Sequence, residues 1–277
     1  MFTLPVCQFS IHEPDGDLSN PWDISGAVYD SSYSITESVL ITGLFFNATG
    51  TKLYAITNGN DTIYQYTLST PWEISTATYD SKSYDILTNG GQSQAQDLFI
   101  DATGTKLYVT GRAPDEVTQH TLGTPWDIST ATFDNITLSV TLETSITALF
   151  FDPTGEKLWI CGQTNGVLYQ YDLSTPWDIS TAVYNATSFD LQPEDAQPQG
   201  IYFKPDGTMM WMGGTISVEV HQYSLSTPWD ITSMVYDEVS KDVSSQGIDL
   251  KAINFGDDGN KMYTLESTNA TISQWEL

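Results

Sequence analysis

Four carboxylates stand where acid chemistry would need them. Asp97, Glu143, Glu194 and Asp249 fall in polar stretches at the head of apolar runs that recur along the chain. Cleavage of a glycosidic bond requires two such groups facing each other about 5 to 9.5 Å apart, the spacing deciding between retention and inversion. Asp97 and Asp249 form the pair to test. Asp97 is set apart because the equivalent positions of the other repeats hold Gly43, Ala148, Gly200 and Ala252. In a chain with 35 Asp and Glu, each of the four is equally well read as a solvated acid. The same stretches supply Gln94, Gln96, Gln197, Gln199 and Lys251, and a neighbouring loop adds Arg112. With Asp97 and Asp249 these residues make an amide-rich lining that suits a neutral polyhydroxylated ligand or, equally, a water-filled channel. Arg112 is the only arginine and is expected to pair with Asp115 or Glu116.

Other chemistries find no footing. His12, His120 and His221 fall in unrelated columns of the repeat, so neither a histidine metal site nor a nucleophile triad follows. Cys7 and Cys161 lie in different repeats and are expected as free thiols, Cys161 in a buried strand. No glycine loop cradles a phosphate, and the Asp and Asn residues before glycine are explained by turn chemistry without calcium. No metal and no cofactor is expected.

What must position these groups is a repeat. NPWDIS at 20–25, TPWEIS at 70–75, TPWDIS at 124–129, TPWDIS at 175–180 and TPWDIT at 227–232 place prolines at 21, 71, 125, 176 and 228, so successive units are 50, 54, 51 and 52 residues long. Thr or Asn as N-cap, Pro at the first helical position and Asp or Glu three residues after the cap predict a short helical turn. It presents Trp22, Trp72, Trp126, Trp177 and Trp229 at equivalent places, as a hydrophobic plug between repeats or as an aromatic platform for sugar or peptide.

Each unit carries four strand-like runs. The first is Leu44-Phe45-Phe46, Leu98-Phe99-Ile100, Leu149-Phe150-Phe151, Ile201-Tyr202-Phe203 and Ile253-Asn254-Phe255. Turns ending in Gly50, Gly104, Gly155, Gly207 and Gly259 follow, where a hairpin needs positive φ. The second strand reads KLYAIT and its relatives, the third is built on Gln, as in IYQYTL, and the fourth is AVYD-like. Four short strands per roughly 50-residue unit, with no helix-period segment, predict an all-β, five-bladed β-propeller of four-stranded blades. The blades fall at about 40–86, 95–141, 146–190, 198–241 and 250–277 plus 27–36, preceded by an N-terminal arm, 1–19. The chain stops after a third strand and begins with a lone fourth strand, so closure must pair the two and remove the open sheet edges. Residues 6–11 resemble a surplus third strand and are expected outside the ring. The divergent loops, from fourth to first strand and from second to third, gather on one face, which is expected to bind. The face with the repeated turns and the Pro-Trp motif is expected to be structural.

The Asp-x-x-Gly-x-Lys-Leu-Tyr hairpin followed by a Tyr-Gln-Tyr strand resembles lactonase/YVTN-like propellers, and the Ser-Thr-Pro-Trp-Asp-Ile-Ser-Thr-Ala signature is similar to repeat propellers of marine bacteria and their phages. The likeness runs from about residue 20 onward. It implies the architecture, transfers no catalytic residue, and through its phage members implies a virion or tail-associated setting.

A net charge of -26, from 9 Lys plus Arg against 35 Asp plus Glu, repels nucleic acid and anionic membranes. No apolar run approaches the ~20 residues of a membrane helix, and MFTLPVCQFSIHEP shows no secretory signal. These readings together predict a monomer, unless the arm mediates assembly. Its expected role is non-enzymatic binding or display of a glycan or protein partner, on a virion or an extracellular surface. The alternatives are a glycosidase using Asp97 and Asp249, and a structural spacer.

Overall fold

The structure, a computed structural model, describes residues 20–277. The strand-like run 6–11, Cys7 and His12 lie outside the described residues.

Twenty strands form five four-stranded antiparallel sheets. β1 (Val28–Ser34) stands alone at the start. The first blade is β2 (Ile41–Phe46), β3 (Lys52–Thr57), β4 (Thr62–Leu68) and β5 (Ala77–Asp85). The second is β6 (Ser93–Ile100), β7 (Lys106–Ala113), β8 (Asp115–Leu122) and β9 (Ala131–Ser139). The third is β10 (Ile146–Phe151), β11 (Lys157–Gly162), β12 (Val167–Leu173) and β13 (Ala182–Asp190). The fourth is β14 (Pro198–Phe203), β15 (Met209–Gly214), β16 (Glu219–Leu225) and β17 (Met234–Asp242). The fifth has β18 (Leu250–Gly256), β19 (Lys261–Glu266) and β20 (Thr271–Glu276), and β1 completes it on the outside of β20. That pairing runs from Val28 opposite Glu276 to Ser34 opposite Thr271, so both ends of the described chain share one sheet and the ring closes as the sequence predicts. β2, β6, β10, β14 and β18 meet each other around the axis.

The hairpins between first and second strands are made by side chains that satisfy the backbone locally. Asn47 accepts from the amides of Thr51 and Lys52 at 2.9 Å, and Asp101 from those of Thr105 and Lys106 at 2.7 Å. The loop then turns through a left-handed glycine, with φ +65 at Gly50 and +72 at Gly104.

The Pro-Trp motif differs from its expected form. Thr-Pro-Trp-Asp closes a β-turn, for example Asp127 N–H to the Thr124 carbonyl at 3.1 Å, and Trp at its third position has φ between +62 and +73 in all five copies. The short helix begins only afterwards and its N-cap is the Asp: Asp23, Asp127, Asp178 and Asp230 accept from the amide two residues on. Glu73, one methylene longer, makes no cap bond and pairs with Lys261 at 2.8 Å. The reason lies in another hairpin. Each Trp N–H donates to the carbonyl of its blade's turn glycine, Trp72 to Gly50 and Trp126 to Gly104 at 2.9 Å, which holds the indole over a residue with no side chain.

Three of the five third-strand glutamines join neighbouring blades. Gln65 donates to Asp80 of its own blade at 2.8 Å and accepts the Ile128 N–H of the next at 2.9 Å. Gln119 accepts from Ile179 at 3.1 Å and Gln274 from Ile74 at 2.8 Å, so the same bond crosses the closure. Second-strand tyrosines add a parallel bond to the next tryptophan: Tyr54, Tyr108 and Tyr263 donate to the carbonyls of Trp126, Trp177 and Trp72 at 2.5 to 2.7 Å.

Candidate functional site

The middle residues of the inner-strand triplets line the axis. Phe45, Phe99, Phe150 and Tyr202 follow one another edge to face, with centroids 5.3 to 5.5 Å apart. The fifth place belongs to Asn254, which is only 8% exposed and makes no side-chain hydrogen bond among the described residues. Tyr202 likewise offers a hydroxyl with no hydrogen-bond partner among the described residues, and burial pushes its pKa upward. Beyond this ring the five indoles surround the axis, packed on inner-strand aromatics, as in Trp177 to Phe151 at 5.4 Å and Trp72 to Phe46 at 5.6 Å. The indoles remain half-buried.

Aromatic ring and indoles together enclose an axial cavity of about 400 Å³ that reaches the first hairpin turns. Its lining runs from Asp97 along the inner strand to Ala102 in the first hairpin turn. The face expected to be structural therefore holds a deep concavity. The expected plug is also a wall.

Asp97 is the floor. It sits among the small residues at this level against the neighbouring inner strand, where a Cβ on Gly43 would fall 2.7 Å from its Oδ1. Its oxygens accept the main-chain N–H groups of Leu98 at 2.9 Å and Leu149 at 3.1 Å, joining two blades. Burial pushes its pKa up to about 7, against the downward pull of those two donors. No ion pair involves it among the described residues.

The other candidate acids do not line this cavity. Glu143 is 0% exposed and accepts the amides of Thr144, Thr164 and Asn165. Glu194 accepts from the Tyr223 hydroxyl at 3.2 Å. Asp249 is paired with Lys251 at 2.7 Å. On the loop-rich side Gln199 and Arg112 both donate to Gln163 Oε1, at 3.0 and 3.1 Å. The expected ion pair of Arg112 with Asp115 or Glu116 is absent among the described residues: the guanidinium bonds an amide of the next blade, and Asp115 Oδ1 is buried without a partner. Gln96 folds back on the carbonyls of Gln94 and Ala95, Gln94 is exposed, and Gln197 gives its main-chain N–H to Asp195 at 2.6 Å. Asp97 is thus the one member of the predicted set that lines the cavity. Asn254 was missed, although its signal is plain in the aligned triplets: four aromatics and one amide.

His120 and His221 are strand residues, as their positions suggest. His120 Nδ1 is 3.1 Å from the Tyr84 hydroxyl and Nε2 2.9 Å from Thr118 Oγ1, and burial lowers its pKa to about 4, opposed by the charge of Asp134. Below its ordinary value of about 6.5 the unfolded chain takes up a proton that the folded chain refuses until about pH 4. Stability supplied by the neutral ring is complete above pH 6.5 and is lost as pH falls through this window, by about 1.4 kcal/mol per pH unit at most. Denaturant titrations across pH 4 to 6.5 should show that slope, and His120→Gln should remove about one proton's worth of it.

Known proteins speak to the fold alone. No protein-family model and no curated protein sequence matches the chain. A functionally unknown protein of Desulfotomaculum acetoxidans superposes with a TM-score of 0.51 and 13% identity, over 84% of this chain and 64% of that one. A candidate 6-phosphogluconolactonase of Bacteroides uniformis superposes with 0.51 and 11%, over 81% and 63%. The chain spans just under two thirds of either.

Proposed function

We propose that this propeller is a non-catalytic binding module whose ligand enters the axial cavity from the Pro-Trp face. One observation carries the reading: five indoles are held at positive φ, a conformation that costs an L-residue about 1 to 2 kcal/mol, and all five border a cavity that ends on a lone carboxylate. Backbone strain repeated at one concavity is a signature of a ligand site. About 400 Å³ suits a group the size of a sugar or of a side chain. A glycosidase needs a second carboxylate opposite Asp97, and the other acids bordering the cavity are Asp257 and Asp258, in the turn at its mouth. Display of this module on a virion or an extracellular surface rests on the likeness of the repeat signature to phage propellers.

A second surface has its own support. On the loop-rich face Ile216 is 61% and Ile248 77% exposed, and Val39 and Leu40 stand open beside them in the ring order, an apolar arc of the kind that meets a protein partner.

The test uses Asn254→Phe, which restores the aromatic of the other four blades. Burial of the ring should raise stability by on the order of 1 kcal/mol while filling part of the cavity. In a screen of glycans and small organic compounds read by tryptophan fluorescence and thermal shift, a ligand bound by the wild type should be lost in this more stable variant. Retained binding in Asn254→Phe that disappears in Ile216→Asp/Ile248→Asp would move the site to the loop-rich face.

A further inference from the structure

We infer that the ligand of the axial cavity is an organic cation, an ammonium carried on an apolar body, with the charge seated between Asp97 and the open side chains of Asn254 and Tyr202. The inference rests on the cavity reading above and adds the chemistry of the occupant. Four features of the site support it.

The first is charge. Asp97 forms the floor and Asp257 and Asp258 border the mouth, whereas among the described residues no lysine, arginine or histidine borders the cavity. Lys204, which stands 5.9 Å over the Trp22 ring, is taken up by Asp206 at 2.9 Å. The second is unused bonding capacity. A carboxylate can accept about four hydrogen bonds, and Asp97 accepts two, both from main-chain amides that carry no compensating charge. Asn254, more than nine-tenths buried and facing the cavity, holds an amide oxygen that accepts no hydrogen bond among the described residues. The third is the wall. Faces of Phe and Trp attract cations through the ring quadrupole and attract anions not at all. The fourth is what the wall lacks. A neutral sugar with a hydroxyl on nearly every carbon would leave most of them facing aromatic carbon, and each unpaired group costs affinity. A single ammonium on an apolar body leaves nothing unpaired. The net charge of -26 further concentrates cations at the surface.

The experiment compares cyclohexylammonium with cyclohexanol, two bodies of nearly the same shape, on the full chain at pH 8 by isothermal calorimetry and tryptophan emission. Cyclohexylammonium should bind roughly tenfold to a hundredfold more tightly, the range expected when a hydrogen bond gains a charge. Asp97→Asn, its fold checked by thermal melting, should bring the ratio close to one. Equal binding of the two compounds, with both lost in Asn254→Phe, overturns the cationic assignment and leaves the cavity reading standing. If neither compound binds, and no member of the wider screen is sensitive to Asn254→Phe, the cavity reading falls and the assignment with it. Since the ratio is measured first on the wild type, a failure of Asp97→Asn to fold does not spare the inference.

Discussion

A chain that lacks residues 20–36 is expected to lose cooperative folding altogether. These residues supply β1, the outer strand of the fifth blade, whose removal leaves β20 with an unpaired edge from Thr271 to Glu276. Their loss also takes Ile24 (0% exposed) and Ile35 (4%) from the cores on the two sides of the fifth blade, and Trp22, which stacks on Trp211 at 5.6 Å and Phe255 at 5.9 Å. At about 1.5 to 3 kcal/mol for each large apolar side chain, plus the lost ladder, the deficit is on the order of 10 kcal/mol, which matches the whole stability of an ordinary domain. Gln274 would lose Asp30, its partner at 2.8 Å, at the same seam. Circular dichroism and size-exclusion chromatography should find an aggregating chain without a melting transition, and a peptide of residues 20–36 should restore one. A truncated monomer that still melts sharply would mean that closure by the N-terminal strand is dispensable.

Gly104→Ala should lower the melting temperature by about 10 °C. Gly104 has φ +72, where a side chain costs about 1 to 2 kcal/mol, and a Cβ there would fall inside the Trp126 indole, an overlap worth about 1 to 3 kcal/mol more. The sum, about 3 kcal/mol, converts at about 2 to 4 °C per kcal/mol for a ring of this size. Gly91 provides the control. Its φ is +74, but nothing lies within 4 Å of a Cβ placed there, so Gly91→Ala should carry the conformational cost alone. Equal losses in the two variants would show that the indole yields freely and that the tryptophan ring is not held against its glycine. A larger loss at Gly104, with altered tryptophan emission, ties the strained turn to the wall of the cavity.

The architecture was legible because the signals that build a blade are short-range. Turn glycines, the Lys-Leu-Tyr strand start and the Gln strand each act within a few residues, and fivefold repetition made their register visible. Closure was legible from an excess of one fourth strand at the start and its lack at the end. The Pro-Trp turn was misread because its conformation is set from outside: Thr and Asp fit a helix start equally well until the glycine carbonyl of a distant hairpin claims the tryptophan N–H. The glutamines were seen as a pattern, but their partner amides lie about 60 residues away in the next blade, beyond any local rule. Asp97 stood out in the sequence as a lone acid among small residues, and it lines the axial cavity. Asn254 carried the same kind of signal and was passed over because its triplet, Ile-Asn-Phe, still reads as a buried strand. The cavity itself could not be read, since a sequence does not say which end of a channel its aromatic collar narrows.

The most direct measurement is a crystal structure of the wild-type chain with the tightest compound from the ligand screen. The account predicts density on the axis, ringed by Trp22, Trp72, Trp126, Trp177 and Trp229 and touching Asp97. Density among Gln199, Arg112 and Lys251 at the other end of the ring, with the aromatic cavity empty, would contradict it.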